Sequence, residues 1–274
     1  MRIARFSSGD DQPRFGVIGE RDGESVLAVL TGDPLYAGIE LTGQSLPLDD
    51  VRLLAPLIPR SKVVGIGRNY ADHAAELDHE LPTEPLMFLK PNTAVIGPGD
   101  PIVHPHTTDD LQWEAELAVV IGRICRDLPV AQVGDVVLGY TVANDVTARD
   151  LQRADDQWTR AKGYDTFCPL GPWIETDLDV SDLRVTTRLR SGGTGGAGGF
   201  DELRQDARTS QLIFDVPRLV SHVSSVMTLL PGDVILTGTP AGVGRMVPGD
   251  QVSVSVEGIG TLTNPVLADS QAAA

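Results

Sequence analysis

The run WEAELAVVI over residues 113–121 sets the tightest limit on what this chain can fold into. Strand alternation puts Glu114, Glu116, Ala118 and Val120 on one face, and Ala115, Leu117, Val119 and Ile121 on the other. Beyond Glu116 both faces are apolar, which predicts a strand covered on both sides. Two carboxylates then stand at one end of it, roughly 7 Å apart along the strand. A bare Glu-x-Glu also describes a solvated strand end, so the pattern gains meaning only with other acids beside it. A second apolar run, VVLGYTVAND over residues 136–145, ends in Asp145. If the two strand ends converge, three buried carboxylates repel one another and take up protons unless a cation compensates them. The all-oxygen set of Glu114, Glu116 and Asp145 selects hard ions, Mg²⁺ first, then Mn²⁺ or Ca²⁺. It leaves coordination positions for water or substrate.

The chain has 274 residues, 41% of them hydrophobic and 5% aromatic, with 29 glycines and 19 prolines. That composition favours short strands joined by turns over a helical bundle. Residues 1–55 read as a small β-rich unit with strands at Arg2–Phe6, Arg14–Ile18 and Ser25–Leu30, and Val51–Pro59 as a connector. Residues 56–274 read as the main unit, opening on a buried strand at Lys62–Ile66. Asn69–Glu80 has helical character, Leu86–Leu89 is a strand, and Lys90–Pro105 is an extended loop. Further helices are predicted over Thr147–Gln157 and Val216–Met227, and strands over Leu183–Arg190, Val234–Gly238 and Gln251–Glu257. The last strand turns into a hairpin at Glu257 and Gly258, and the tail from Ala268 frays. No repeat of 20 to 50 residues is visible.

The formal net charge of −16 repels nucleic acid and anionic membranes. It repels small anions too, so an enzyme for acidic substrates needs local cations; Arg68, Lys90 and Lys162 are the candidates. No run approaches the roughly 18 apolar residues of a membrane span, and there is no apolar signal core. Cys125 and Cys168 stand far apart, as in a reduced cytoplasmic protein.

His73 and Glu76 lie three residues apart on one face of a helical turn, where the carboxylate raises the imidazole's basicity toward water. Residues 238–244 (GTPAGVG) follow a strand and can present backbone N–H groups to an anion. The formal GxGxxG at residues 193–198 has no helix after it and reads as a hairpin loop. His79, His104, His106 and His222 show no zinc spacing, and there is no GxSxG nucleophile elbow.

Taken in order, several segments resemble the fumarylacetoacetate hydrolase family. They are KVVGIGRNY (62–70) with His73 and Glu76, PLMFLKP (85–91), WEAEL (113–117), GYTVANDVTARD (139–150), AKG (161–163) and LTGTPAGVG (236–244). The resemblance runs from about residue 50 to the C-terminus. It implies an α+β, β-rich fold, a mixed and mainly antiparallel β-roll core with short helices, and a homodimer. It implies Mg²⁺ or Mn²⁺ at Glu114, Glu116 and Asp145, a His73/Glu76 dyad on a lid-like helix, and Lys162 as the active-site lysine. Thr239 matches a substrate-contacting position, and Arg68, Tyr70 and Lys90 lie in the matched segments as further candidate contacts. The implied chemistry is cleavage of a carbon–carbon bond in a small 2-oxo or 2,4-dioxo acid through a metal-stabilised enolate. Acylpyruvate hydrolysis and oxaloacetate decarboxylation share that electron sink, and so does isomerisation of an unsaturated 2-oxo diacid such as 2-hydroxyhepta-2,4-diene-1,7-dioate. A non-catalytic, metal-dependent 2-oxo acid binding module is the reading from another class; His73, Glu76 and Lys162 together count against it. The glycine-rich stretch from Gly192 to Gly199 departs from the family pattern.

Overall fold

The computed structural model describes residues 1–9, 12–72, 81–192 and 199–272. The chain opens with β1 (Arg2–Ser7), β2 (Arg14–Arg21), β3 (Glu24–Leu30), β4 (Leu41–Pro47) and β5 (Arg52–Leu54). Then come β6 (Val63–Gly67), β7 (Leu86–Lys90), β8 (Val95–Ile96) and β9 (Ile102–His104). β10 (Leu111–Gln112), β11 (Ala115–Ile121), β12 (Val137–Asn144), β13 (Thr147–Ala148) and β14 (Cys168–Glu175) form the middle. β15 (Arg184–Arg190), β16 (Asp201–Arg208), β17 (Val234–Leu236), β18 (Gln251–Val256) and β19 (Gly260–Ala268) complete the set.

Most of these strands enter one twelve-stranded sheet, ordered β4-β3-β2-β1-β14-β12-β11-β17-β6-β7, with β5 on β1 and β8 on β14. A second sheet runs β16-β15-β18-β19-β9. Pairing is antiparallel except at β17·β6, β14·β8 and β19·β9, so the sheets are mixed and mainly antiparallel. Helices are short; the longest among the described residues is Val216–Val226, capped by the Asp215 side chain on the Arg218 N–H. No helix among them is long and apolar enough to cross a membrane.

β11 lies inside the large sheet between β12 and β17, and all seven of its residues are buried. Leu117, Val119 and Ile121 join a core with Val185 and Val254 of the second sheet and with Leu219 and Val223 of the long helix. Ala118 and Val120 join another core with Ile3 of β1, Val63 of β6 and Ile174 of β14. The apolar character of both faces therefore has two separate causes, one layer of packing on each side. The leading strands contribute directly to the second of them, since β1 pairs with β14.

Several local expectations are corrected. Val51–Pro59 is not only a connector, because Arg52–Leu54 pairs with β1. Lys90–Pro105 is not a single loop: it carries a 3₁₀ turn at Asn92–Ala94 and the short strands β8 and β9. The helix predicted from Thr147 begins at Arg149 and ends at Ala154, because Thr147–Ala148 pairs with β10. β19 runs through Ala268 beside β9, and Asp269–Ala272 is helical, so the tail is ordered further than expected. The polar stretch DELRQDAR, for which the sequence predicts no element, is the edge strand β16. Its acids pair across to arginines of β15 as Arg184–Asp206 and Arg188–Asp201. Residues 73–80, most of the predicted helix Asn69–Glu80, lie outside the described residues, as do 193–198 of the glycine-rich stretch.

One buried side chain ties three segments together. Asn69 Nδ2 donates to the carbonyls of Phe214 (2.9 Å) and Thr237 (2.8 Å), and its Oδ1 accepts from Phe214 N (2.8 Å). Asn69→Ala is expected to leave those backbone groups unpaired at the join of β6, β17 and the long helix. It should lower stability by about 2–4 kcal/mol, read by urea unfolding; a loss within error would show that water replaces the amide without cost.

Candidate metal centre

β11 and β12 run antiparallel in a register that places Ala115 opposite Asn144, so the residues just before and just after that pair meet. Asp145 N donates to Glu114 O (2.9 Å), and Glu114 N donates to Asn144 Oδ1 (2.9 Å). Glu116, one step inside β11, completes the group. Glu114, Glu116 and Asp145 are all buried, and one carboxylate oxygen of each lies within 4.8 Å of the others. The convergence predicted from two separate runs is therefore a consequence of one antiparallel register.

Three cations surround these acids. Lys162 Nζ donates to Glu114 Oε2 (2.6 Å) and to Asp145 Oδ2 (2.7 Å). Arg149 reaches the other oxygen of Glu114 and is held in place by Gln112 (Nε to Oε1, 2.9 Å) and by Gln152. Lys90, whose side chain is 0% exposed, donates to Asp145 Oδ1 (2.5 Å) and to Val146 O (3.3 Å). Lys90 thus binds Asp145 without lining the cavity. Burial alone would lower the Lys162 pKa, but Asp145 and Glu114 hold it above the ordinary value, so it is an ammonium rather than a free base.

Glu116 differs from its two neighbours. It forms no ion pair among the described residues, and its Oε2 accepts from Gly238 N (2.5 Å). Burial, then Asp145 and then Glu114, push its carboxyl well above the ordinary range, against the smaller opposing pull of Lys162 and Gly238. Gly238 has φ +102, and a Cβ there would meet the Asn69 Cβ at 2.7 Å, so only glycine gives this N–H its position. Thr239 follows and is held by Gln205, whose Nε2 donates to Thr239 Oγ1 (2.8 Å) and Pro240 O (2.7 Å). Gln205 Oε1 also accepts from Ala115 N (3.0 Å), so one side chain of the edge strand β16 fixes both the GTP turn and the start of β11. Tyr70 is buried nearby; burial, then the Glu116 charge, raise its hydroxyl pKa, and it stays neutral.

A cavity brings together Glu114, Glu116, Asp145, Lys162, Arg68 and Thr239. Its atom-free space, open solvent at the mouth included, is about 370 Å³. One wall is aromatic: Phe88 and Trp158 meet edge to face at 5.5 Å, and Lys162 Nζ lies 5.1 Å from the Phe88 ring centroid. The glycines of β6 make room for these rings, since a Cβ at Gly65 would enter the Phe88 ring and one at Gly67 would meet Trp158 at 2.6 Å. Arg68 has φ +58, a left-handed conformation that costs a non-glycine residue roughly 1–2 kcal/mol.

Of the residues picked from the sequence, Glu114, Glu116, Asp145, Lys162, Arg68 and Thr239 meet at this cavity, while Lys90 binds Asp145 without lining it and Tyr70 is buried within electrostatic range of Glu116. His73 and Glu76 lie outside the described residues. Arg149, Gln152, Trp158 and Gln205 were not singled out as site residues. Arg149 carried a usable signal, being a lone cation four residues after Asp145 in a mostly apolar run. Gln205 carried none, because it sits in a stretch whose polar composition hides a strand.

The donor set fits a hard divalent cation. It is all oxygen, it is buried, and Glu116 brings a charge that no side-chain cation pairs among the described residues.

The chain is similar to known proteins over nearly its whole length. The profile of the fumarylacetoacetate (FAA) hydrolase C-terminal domain matches residues 62–267, and an N-terminal profile named for protein Rv2993c matches residues 1–56. Protein Rv2993c of Mycobacterium tuberculosis is 51% identical over 272 residues, covering 97% of this chain and 98% of that one. The mitochondrial oxaloacetate tautomerase fahd2 of Xenopus laevis is 35% identical over 297 residues, covering 97% and 90%. The crystal structure of a 5-carboxymethyl-2-hydroxymuconate delta-isomerase from Mycobacterium smegmatis superposes with a TM-score of 0.87 at 51% identity, covering 98% and 100%.

Glu116→Gln is expected to abolish stabilisation by Mg²⁺, which at a hundredfold excess over its dissociation constant amounts to about 2.7 kcal/mol. A carboxyl whose folded-state pKa is raised stabilises the fold below its unfolded value and loses that contribution as pH rises through the folded one. The metal-free wild type should therefore lose stability as pH climbs above about 4.5 and through the raised value, and the variant should lack that slope. Thermal unfolding with and without Mg²⁺ reads both effects. A variant that still gains stability from Mg²⁺ would overturn the ligand assignment.

Proposed function

The chain belongs to the fumarylacetoacetate hydrolase family, and on that premise we propose that it is a divalent-metal enzyme that cleaves a carbon–carbon bond in a small 2-oxo or 2,4-dioxo acid. Residues 56–274 carry the chemistry, and residues 1–55 are the supporting unit. The observation that carries the reading is the buried Glu114/Glu116/Asp145 cluster with the Lys162 ammonium bound to two of its acids in the same cavity. A single hard ion needs carboxylates but not a buried ammonium; a reaction that builds negative charge on a substrate oxygen needs both.

Glu114, Glu116 and Asp145 would hold Mg²⁺ or Mn²⁺, which would supply Lewis-acid chemistry to a bound 2-oxo acid. The protein's own groups do the rest. Lys162 stays protonated and donates to the oxygen on which charge develops. Arg149 fixes Glu114, Lys90 fixes Asp145, and Gly238 N fixes Glu116, so the acids need no rearrangement during the reaction. Thr239 offers a hydroxyl that Gln205 has already oriented. Phe88 and Trp158 keep one side of the cavity dry. His73 with Glu76 is the pair we assign to activating water against the C4 carbonyl of an acylpyruvate. Oxaloacetate needs no such water, since CO₂ leaves by itself.

A second reading is keto–enol or double-bond isomerisation with no bond cleaved. It is favoured by relatives named as an oxaloacetate tautomerase and a muconate-type delta-isomerase, each covering more than nine-tenths of this chain. Both readings use the same charge-stabilising centre and differ in whether a carbon–carbon bond breaks there. We also propose a cytoplasmic homodimer.

Chelator-treated protein is expected to lose turnover of acetylpyruvate and oxaloacetate, and Mg²⁺ or Mn²⁺ to restore it. Following pyruvate, CO₂ and the enol absorbance together separates cleavage from isomerisation. Full activity after metal removal would sink the metal-dependent reading, and enol–keto exchange with no pyruvate released would replace cleavage by the second reading. His73→Ala is expected to slow acylpyruvate hydrolysis by about 10²–10⁴-fold, the usual worth of a general base, and oxaloacetate decarboxylation far less. Equal losses would remove His73 from water activation.

A further inference from the structure

Gln205 is 0% exposed and belongs to β16 of the second sheet, a strand that carries no acid of the centre. Two backbone groups, each able to play only one part, decide which end of its amide faces which neighbour. Ala115 N can only donate, so the atom 3.0 Å from it is Oε1. Pro240 O can only accept, so the atom 2.7 Å from it is Nε2. The flipped amide would set N–H against N–H and oxygen against oxygen.

That orientation fixes the sense of the two remaining bonds. Nε2 has two hydrogens; one goes to Pro240 O and the other to Thr239 Oγ1 at 2.8 Å. Oε1 takes Ala115 N and the Thr187 hydroxyl at 2.7 Å, which spends the amide's capacity. Thr239 Oγ1 is therefore an acceptor toward Gln205, and its own hydrogen points elsewhere. That hydroxyl makes no other hydrogen bond among the described residues, and Thr239 lines the cavity beside Glu114, Glu116 and Asp145. The backbone on either side of it is held as well, by Gly238 N on Glu116 and by Pro240 O on Gln205. A threonine hydroxyl ordinarily turns to suit its partner; here one of its two parts is taken in advance.

We propose that Gln205 is a positioning residue that presets the Thr239 hydroxyl as a one-way donor toward an acceptor oxygen of the ligand at the metal centre. The proposal rests on the metal-centred 2-oxo acid reading above. Gln205 does not line the cavity and acts only through Thr239. A carbonyl or carboxylate oxygen is thereby favoured at that point over any group with a hydrogen to give.

The test is calorimetric titration of oxalate, whose oxygens only accept, into Mg²⁺-loaded protein, with Mg²⁺ affinity measured separately for each variant. Thr239→Val should weaken oxalate about 10–100-fold, the worth of a hydrogen bond to a charged group, and Thr239→Ser should keep most of the affinity. Gln205→Glu keeps the shape, but the oxygen that replaces Nε2 carries at most one hydrogen for two positions, whether ionised or not. Thr239 then turns its own hydrogen onto that oxygen. Gln205→Glu should therefore weaken oxalate by a similar factor without weakening Mg²⁺, and should add nothing in the Thr239→Val background. Losses that multiply in the double variant, or a Gln205→Glu loss explained by weaker Mg²⁺ binding, would make Gln205 a structural brace and overturn the proposal. Neutron diffraction from deuterium-exchanged crystals of the wild type with Mg²⁺ and oxalate tests the same point without any variant. The deuterium between Nε2 and Thr239 Oγ1 should sit on Gln205 and that of Thr239 should point at oxalate; a Thr239 deuterium directed at Gln205 would overturn the proposal while leaving the parent reading intact. Failure of oxalate to bind the Mg²⁺-loaded wild type would instead remove the parent reading, and the preset donor with it.

Discussion

Three carboxylates cannot share a buried pocket without compensation, and much of this molecule is arranged around that constraint. Coulomb repulsion within a few ångströms in a weakly polarisable interior is costly enough to protonate acids or to force cations in beside them. Here both responses coexist. Glu114 and Asp145 are bound by Arg149, Lys162 and Lys90. Glu116 accepts a backbone N–H instead of a side-chain cation, and its carboxyl is pushed upward accordingly. The asymmetry is what makes the centre receptive to a hard cation, since Glu116 gains most when positive charge arrives.

Holding such a group steady demands rigid surroundings, and two neutral amides supply much of them. Asn69 joins the end of β6 to β17 and to the entry of the long helix, which sets the path of the turn that contains Gly238. Gln205 joins β16, β15, β11 and the Thr239 turn through four hydrogen bonds of one side chain. Amides suit this task because each offers donors and an acceptor without adding charge to a pocket already crowded with it. The glycines of β6 complete the arrangement by letting aromatic rings lie directly on the backbone.

The strands that carry the chemistry were readable because their environments are simple. β11 and β12 are buried, apolar and end in acids, and the ordered motifs around them are specific to one family. β16 was missed because an edge strand needs no apolar face, and its stability comes from cross-strand ion pairs that composition alone presents as a polar loop. β14 drew no prediction because its two prolines and a glycine read as turn residues, yet it is almost wholly buried between β12 and β1. Lys90 illustrates the same limit for a side chain. A lysine between a strand and a proline looks like a solvated cation, and nothing local reveals that it ends on Asp145.

The sequence by itself determined which residue types are present to do chemistry: two strand-terminal runs with acids of the right spacing, a lysine downstream of them, an arginine upstream, and a glycine turn after a strand. Such features are local, encoded in alternation and in the conformational demands of single residues. Tertiary structure decided which of those groups meet. One antiparallel register brought Glu114 against Asp145, distant strands supplied Gln205 and Asn69 as braces, and the network consumed three cations while leaving Arg68 without an acidic partner among the described residues. Which charges are neutralised and which remain available is a property of distances between segments far apart in the chain. No pattern within a single segment can encode it.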